Sequence, residues 1–111
     1  MKQLDIFYSK QAVADMDRVW DEVYTVSWDY AIADNYVTGI RSALNQISNR
    51  PKTGIPLIYD HIFTGIYMMV YKKYIVFYRV RENRLEVGRI LLGSSDYLRV
   101  VLNSMNVDLE K

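Results

Sequence analysis

A chain of 111 residues with a net charge of +1 and no cysteine fits one domain with a single hydrophobic core and excludes disulfides, thiolate metal sites and cysteine nucleophiles. The near-neutral balance gives the molecule as a whole no signature of a polyanion binder. No basic start leads into an apolar run and no apolar stretch approaches the ~20 residues of a membrane span, so the expectation is a soluble, cytoplasmic, single domain over residues 1–111.

In chain order, Leu4 to Tyr8 alternates apolar and polar residues and predicts a short strand. Ser9 is placed to cap a helix, in which Val13, Met16, Trp20 and Val23 or Tyr24 form the apolar stripe while Asp15, Arg18, Asp21 and Glu22 are left for water. Ser27 or Asp29 starts a second helix, whose Ala33, Val37, Ile40, Leu44 and Ile47 keep the same periodicity down to Asn49. The two helices read as an antiparallel hairpin, with Gly39 marking a close approach, and Arg50-Pro51 ends the second.

Lys52 to Asp60 carries a proline and a glycine and reads as an irregular connection. His61 to Tyr71 alternates loosely as a strand, Lys72-Lys73 turns the chain, and Tyr74 to Arg81 and Leu85 to Leu92 form a hairpin about Glu82-Asn83. Gly93 to Asp96 makes a turn, Tyr97 to Asn103 a short last helix, and Met105 to Lys111 a frayed end. The predicted class is α+β, ordered β-α-α-β-β-β plus a short C-terminal helix, with the helical hairpin packed on one face of a small antiparallel sheet.

Charge is unevenly spread. Lys72, Lys73, Arg79, Arg81, Arg84, Arg89 and Arg99 face only Glu82, Glu86 and Asp96 over residues 72–99, while the first half holds the compensating acids. Each strand of the last hairpin carries an arginine among apolar neighbours, Arg79 and Arg89. Such arginines snorkel at strand ends, pair with internal acids, or meet an anion. For Arg89 the internal partner would be Asp15 or Asp21. Ten tyrosines add core and contact capacity, with Tyr67, Tyr71, Tyr74 and Tyr78 as candidates for an apolar, tyrosine-rich surface.

Three stretches resemble the RelE/ParE superfamily of bacterial toxins from type II toxin–antitoxin systems. They are the helix exit across Leu44 to Gly54, the strand Y-I-V-F-Y-R-V at Tyr74 to Val80, and E-V-G-R-I-L-L-G-S-S-D-Y at Glu86 to Tyr97. The last is similar to a ParE-type ending. The resemblance implies a toxin associated with plasmid stabilisation and growth inhibition, held by a cognate antitoxin that alone contacts operator DNA. Its target would be DNA gyrase in the ParE manner, or messenger RNA on the ribosome in the RelE manner; a third reading is an inactive member of the same fold that serves as a binding module.

Metal-free RNA cleavage needs cations for the dianionic transition state and an acid for the leaving oxygen. The resemblance places Ile75, Ser94 and Ser95 where ribonuclease members carry basic residues. Arg89, Arg79 and Tyr97 are the substitutes if the protein is a ribonuclease, with Lys72 and Lys73 for the phosphate and His61 as another acid. For target or antitoxin binding the candidates are Lys72, Lys73, Arg79, Arg81, Arg89, Tyr78, Asp96 and Tyr97. Each has an ordinary role beside it: a hairpin turn for the lysines, a helix cap for Asp96, packing of the last helix for Tyr97. No metal, cofactor or nucleotide site is expected, because no ligand cluster or glycine-rich phosphate loop is present.

Overall fold

The computed structural model describes residues 3–105. Its elements are β1 (Asp5–Tyr8), α1 (Lys10–Ser27), α2 (Tyr30–Ile47), a 3-10 turn (Pro51–Thr53), β2 (Ile55–Tyr59), β3 (Ile62–Tyr71), β4 (Tyr74–Arg81), β5 (Arg84–Leu92) and α3 (Tyr97–Ser104). The five strands are ordered β1-β5-β4-β3-β2. β1 runs parallel to β5 and the other neighbours are antiparallel.

The expected α+β layout is present, with one strand more than the sequence suggested. The segment from Lys52 to Asp60, expected to be irregular, contains β2, which pairs with β3. Pro56 is tolerated because β2 is an edge strand and the pairing shifts register between Pro56 and Ile58. Asp60 and His61 then turn the chain with both φ angles in the left-handed region, 52° and 64°. Glu82 and Asn83 do the same between β4 and β5 at 49° and 66°, the conformation that favours two-residue hairpins.

Both helix starts follow their caps. The Ser9 hydroxyl accepts from the Ala12 N–H at 3.0 Å and donates to the Gly88 carbonyl at 2.8 Å. The Asp29 carboxylate accepts from Ala31 and Ile32. Only Trp28 and Asp29 separate the helices, and Trp28 sits in the left-handed region at φ 57°. On α2, Ala33, Ile40 and Leu44 are buried as their spacing predicts. Gly39 permits the expected close approach, since a Cβ there would overlap the Tyr71 hydroxyl of β3.

The stripe on α1 is rotated from its predicted position. Ala12, Asp15, Met16 and Val19 are buried, Val13 is half exposed, and Trp20 is only partly covered. Small Ala12 and Val19 let the helix lie close to β5, where Asp15 finds partners that a helical wheel does not show.

The sheet is covered on both faces rather than one. Tyr74, Val76, Tyr78, Leu85, Val87 and Ile90 pack with Met16, Val19, Ile40 and Leu44 of the hairpin. Leu57, Ile66, Phe77 and Leu91 pack with Val101 and Met105 on the side of α3. Met105, expected in a frayed end, is therefore buried; the remainder of that expectation lies outside the described residues. Replacing Ser9 with alanine removes the α1 cap and the bond to Gly88. Urea denaturation is expected to read a loss of about 1–2 kcal/mol, and an unchanged midpoint would refute the cap's role.

Candidate functional site

β1 is only four residues long and matches β5 from Arg84 to Val87. Beyond that point the outer edge of β5 has no neighbouring strand, and its backbone groups need other partners. The start of α1 supplies them. The Ser9 N–H donates to the Val87 carbonyl at 2.9 Å and its hydroxyl to Gly88. The Ile90 N–H donates to Asp15 Oδ2 at 2.9 Å, and Arg18 Nη2 donates to the Ile90 carbonyl at 2.8 Å.

The same Asp15 carboxylate receives Arg89 through a fork, Nε to Oδ2 at 2.7 Å and Nη2 to Oδ1 at 3.0 Å, while Arg18 Nη1 reaches Oδ1 at 2.8 Å. Burial alone would push the Asp15 carboxyl up. The hydrogen bonds from Arg89, Ile90 and Arg18, with the charge of Arg89, outweigh it and hold the carboxyl below its ordinary value. Arg89 is thus the internal ion pair, with Asp15 and not Asp21 as its partner. Contrary to the simple alternation, Arg89 does not share a face with Val87. The β4–β5 register shifts between Phe77 and Tyr78, which leaves Gly88 unmatched. The bulge turns Arg89 toward α3, where Nη1 lies 3.4 Å from Ser104 Oγ.

Arg79 is also held inside the molecule. Its Nη1 donates to the Met105 carbonyl at 2.7 Å, and its Nε stands 3.6 Å from Glu86, beyond hydrogen-bond reach. Burial first, and then the charge of Arg81, lower its pKa against the pull of Glu86. Glu86 also draws Arg81 at 3.8 Å and Arg84 at 2.8 Å. One carboxylate therefore serves three guanidinium groups. Arg84 lies 5.0 Å above the Phe7 ring, and the buried Nε atoms of Arg79 and Arg84 have no acceptor. Beside them runs a groove of about 300 Å³ lined by Phe7, Gln11, Arg79, Arg84, Ser104 and Met105 among others. This cationic groove is the candidate site. Of its lining residues Arg79 is among those the sequence points to, and Arg81 stands beside the groove through Glu86; Arg84, Glu86 and Phe7 are additions of the structure, although R-x-E beside R-x-R across a two-residue turn is the pattern that brings them together.

The remaining predicted residues are scattered. Lys72 and Lys73 lie in the β3–β4 turn, and Lys72 Nζ stands 5.0 Å above the Tyr36 ring and 5.6 Å from Tyr71. They line a largely apolar cleft with Val70, Ile75, Gly93 and Ser94, so the positions where ribonuclease relatives were expected to be basic carry Ile75 and Ser94 here. Asp96 stands at the cap position of α3 without making the cap bond and pairs with Arg99 at 3.2 Å. Tyr97 is half-buried, its ring 5.3 Å from Phe77. His61 is an exposed turn residue. Tyr78 is not a surface contact: it is fully buried, its hydroxyl donates to the Pro51 carbonyl at 2.6 Å, and burial pushes its pKa up to about 12. Tyr74 is buried too, with its hydroxyl on Glu22 and its pKa raised mainly by burial. Of the proposed tyrosine surface only Tyr67 and Tyr71 keep partial exposure.

Among solved structures, the chain is similar to a toxin–antitoxin system, the chromosomal ParDE of P. aeruginosa, with 17% identity and a TM-score of 0.66 over 81% of this chain and 96% of that one. It is also similar to the RelBE2 toxin–antitoxin complex of Mycobacterium tuberculosis, at 15% identity and TM-score 0.57 over 82% and 99% of the two chains. These likenesses define the fold class as that of RelE/ParE toxins. The family model of the ParE toxin of type II toxin–antitoxin systems, parDE, matches residues 6–97, and the chain belongs to that family. No curated protein matches the sequence.

Because the Asp15 pKa is depressed in the folded state, its stabilisation is complete above the ordinary carboxylate value of ~4 and is lost as the pH falls through the lower folded value. Denaturation at stepped pH is expected to show a decline below pH ~4 to which Asp15 contributes. Asp15→Asn strands Arg89 and is expected to cost about 3 kcal/mol at neutral pH while flattening that acid limb. An unaltered acid limb in Asp15→Asn would show that the carboxylate is not the group responsible.

Proposed function

We propose that this ParE-family protein inhibits growth by binding DNA gyrase, without cutting RNA, and that a cognate antitoxin neutralises it by placing carboxylates in the arginine groove. The observation that carries the reading is the bidentate capture of Arg89 by Asp15. A guanidinium already neutralised by a buried acid has little to offer the growing charge of a phosphoryl transition state. Arg79, the other candidate for that task, spends a donor on the Met105 carbonyl. Tyr97 as a leaving-group acid packs on Phe77, and Lys72 is engaged with two aromatic rings.

The groove suits an acidic peptide better than a polynucleotide. Its cations are compact and drawn around Glu86. A polynucleotide repeats its charge along a track and favours a continuous basic stripe. A carboxylate beside an apolar side chain finds both Arg84 and Phe7 here.

Purified protein is expected to block gyrase-dependent supercoiling and to leave messenger RNA on translating ribosomes intact. Codon-position cleavage products with unimpaired supercoiling would replace this reading with the ribonuclease one. Arg81→Ala and Arg84→Ala are each expected to weaken antitoxin affinity about tenfold, ~1.4 kcal/mol, in a titration that salt attenuates. Full antitoxin affinity in the double variant would remove the groove from the interface.

A further inference from the structure

The most exposed large apolar side chains among the described residues belong to the junction of α1 and α2: Val26 at 77%, Trp28 at 76% and Tyr30 at 65%. They continue a ladder of rings. Trp20 stacks on Tyr24 at 5.3 Å, Tyr24 on Tyr30 at 4.8 Å, and Trp28 tilts against Tyr24 at 6.0 Å. Clustered exposed aromatic surface of this kind marks interaction sites. The backbone adds an independent observation. Trp28 occupies a left-handed conformation, φ 57°, that glycine or asparagine adopts readily and a bulky side chain does not. Neither the turn nor the core requires an indole there, yet the chain holds one outward against that strain.

Charge narrows the occupant. Over residues 17–36 Arg18 and Glu22 answer one another and other partners, Asp15 and the Ile90 carbonyl for the arginine and the Tyr74 hydroxyl for the glutamate, which leaves Asp17, Asp21, Asp29 and Asp34 with no cation among those residues. Asp34 also accepts from the Trp20 indole at 2.8 Å, which keeps a carboxylate beside the ladder. Phosphates of nucleic acid, like the headgroups of an anionic membrane, would be repelled by this ring of acids. From Gln11 at the arginine groove to Trp28 the helix runs about 25 Å, so the tip and the groove are separate surfaces.

We infer that the aromatic tip is the surface that docks on the target protein, and that it receives a cationic face of that protein. Arginine or lysine side chains lie over the Trp28 and Tyr30 rings, and further cations of the same face meet Asp21 and Asp17 farther back along α1. This rests on the binding-toxin reading above.

The test compares wild type, Trp28→Asn and the double variant Asp17→Lys/Asp21→Lys in supercoiling by purified gyrase, alongside melting temperature and affinity for the co-encoded antitoxin. Trp28→Asn is expected to melt at or above wild type, because asparagine suits the left-handed position, and to bind antitoxin within about twofold. Its inhibition of gyrase is expected to fall at least ~10-fold. The charge reversal is expected to produce a similar loss and to abolish the strengthening of inhibition at low salt. If wild type inhibits gyrase and Trp28→Asn inhibits equally well, the docking surface is overturned while the gyrase reading stands. If Trp28→Asn loses antitoxin affinity in proportion to inhibition, the tip is the antitoxin's seat and the inference is likewise overturned. If wild type does not inhibit gyrase, the underlying reading and this inference fall together.

Discussion

One buried carboxylate joins the two layers of this protein. β1 stops after four residues and leaves the edge of β5 incomplete; Asp15 on α1 takes up the N–H that a longer strand would have accepted. A lone carboxylate in that position would be strongly unfavourable, since removal from water penalises its charge. Two guanidinium groups and a backbone N–H make it tolerable, and they tie α1 to β5. The knot holds the start of the helical hairpin against the edge of β5, and the Gly88 bulge brings Arg89 within reach of Ser104 on α3 as well.

The knot also bears on what the protein can do. A basic sheet in a small toxin suggests contact with RNA, but a positive charge counts toward function only if it is not already answered within the fold. Arg89 and Arg18 are answered by Asp15. Three others, Arg79, Arg81 and Arg84, are gathered at the β4–β5 turn around the single carboxylate of Glu86. The helical hairpin carries the opposite sign and ends in aromatic rings. The molecule therefore offers two chemically distinct ends, a cationic groove beside β1 and an acidic aromatic tip, joined by one helix.

Much of the architecture could be read along the chain because it depends on near neighbours. Ser9 and Asp29 announce their helices by bonds reaching two or three residues ahead, and the aromatic and β-branched runs either side of Glu82-Asn83 are a strand hairpin whatever they pack against. β2 was hidden because Ile55–Tyr59 follows Gly54 and contains Pro56, local signals of a loop; only pairing with β3 makes it a strand. The tyrosines show the same divide. Alternation placed Tyr74 and Tyr78 on one face of β4, but that face is the one the helical hairpin covers.

The amino-acid order by itself determined the helical hairpin, the antiparallel meander, the concentration of arginine near the chain's end and the family to which these belong. The tertiary structure alone decided which arginines remain for a partner. Asp15 and Arg89 are 74 residues apart, and a helical wheel assigns such an aspartate to water. They meet because β5, last in sequence among the strands, lies beside β1, the first. Neighbour-to-neighbour propensity cannot register that juxtaposition, whereas the unpaired backbone edge of β5 makes it necessary.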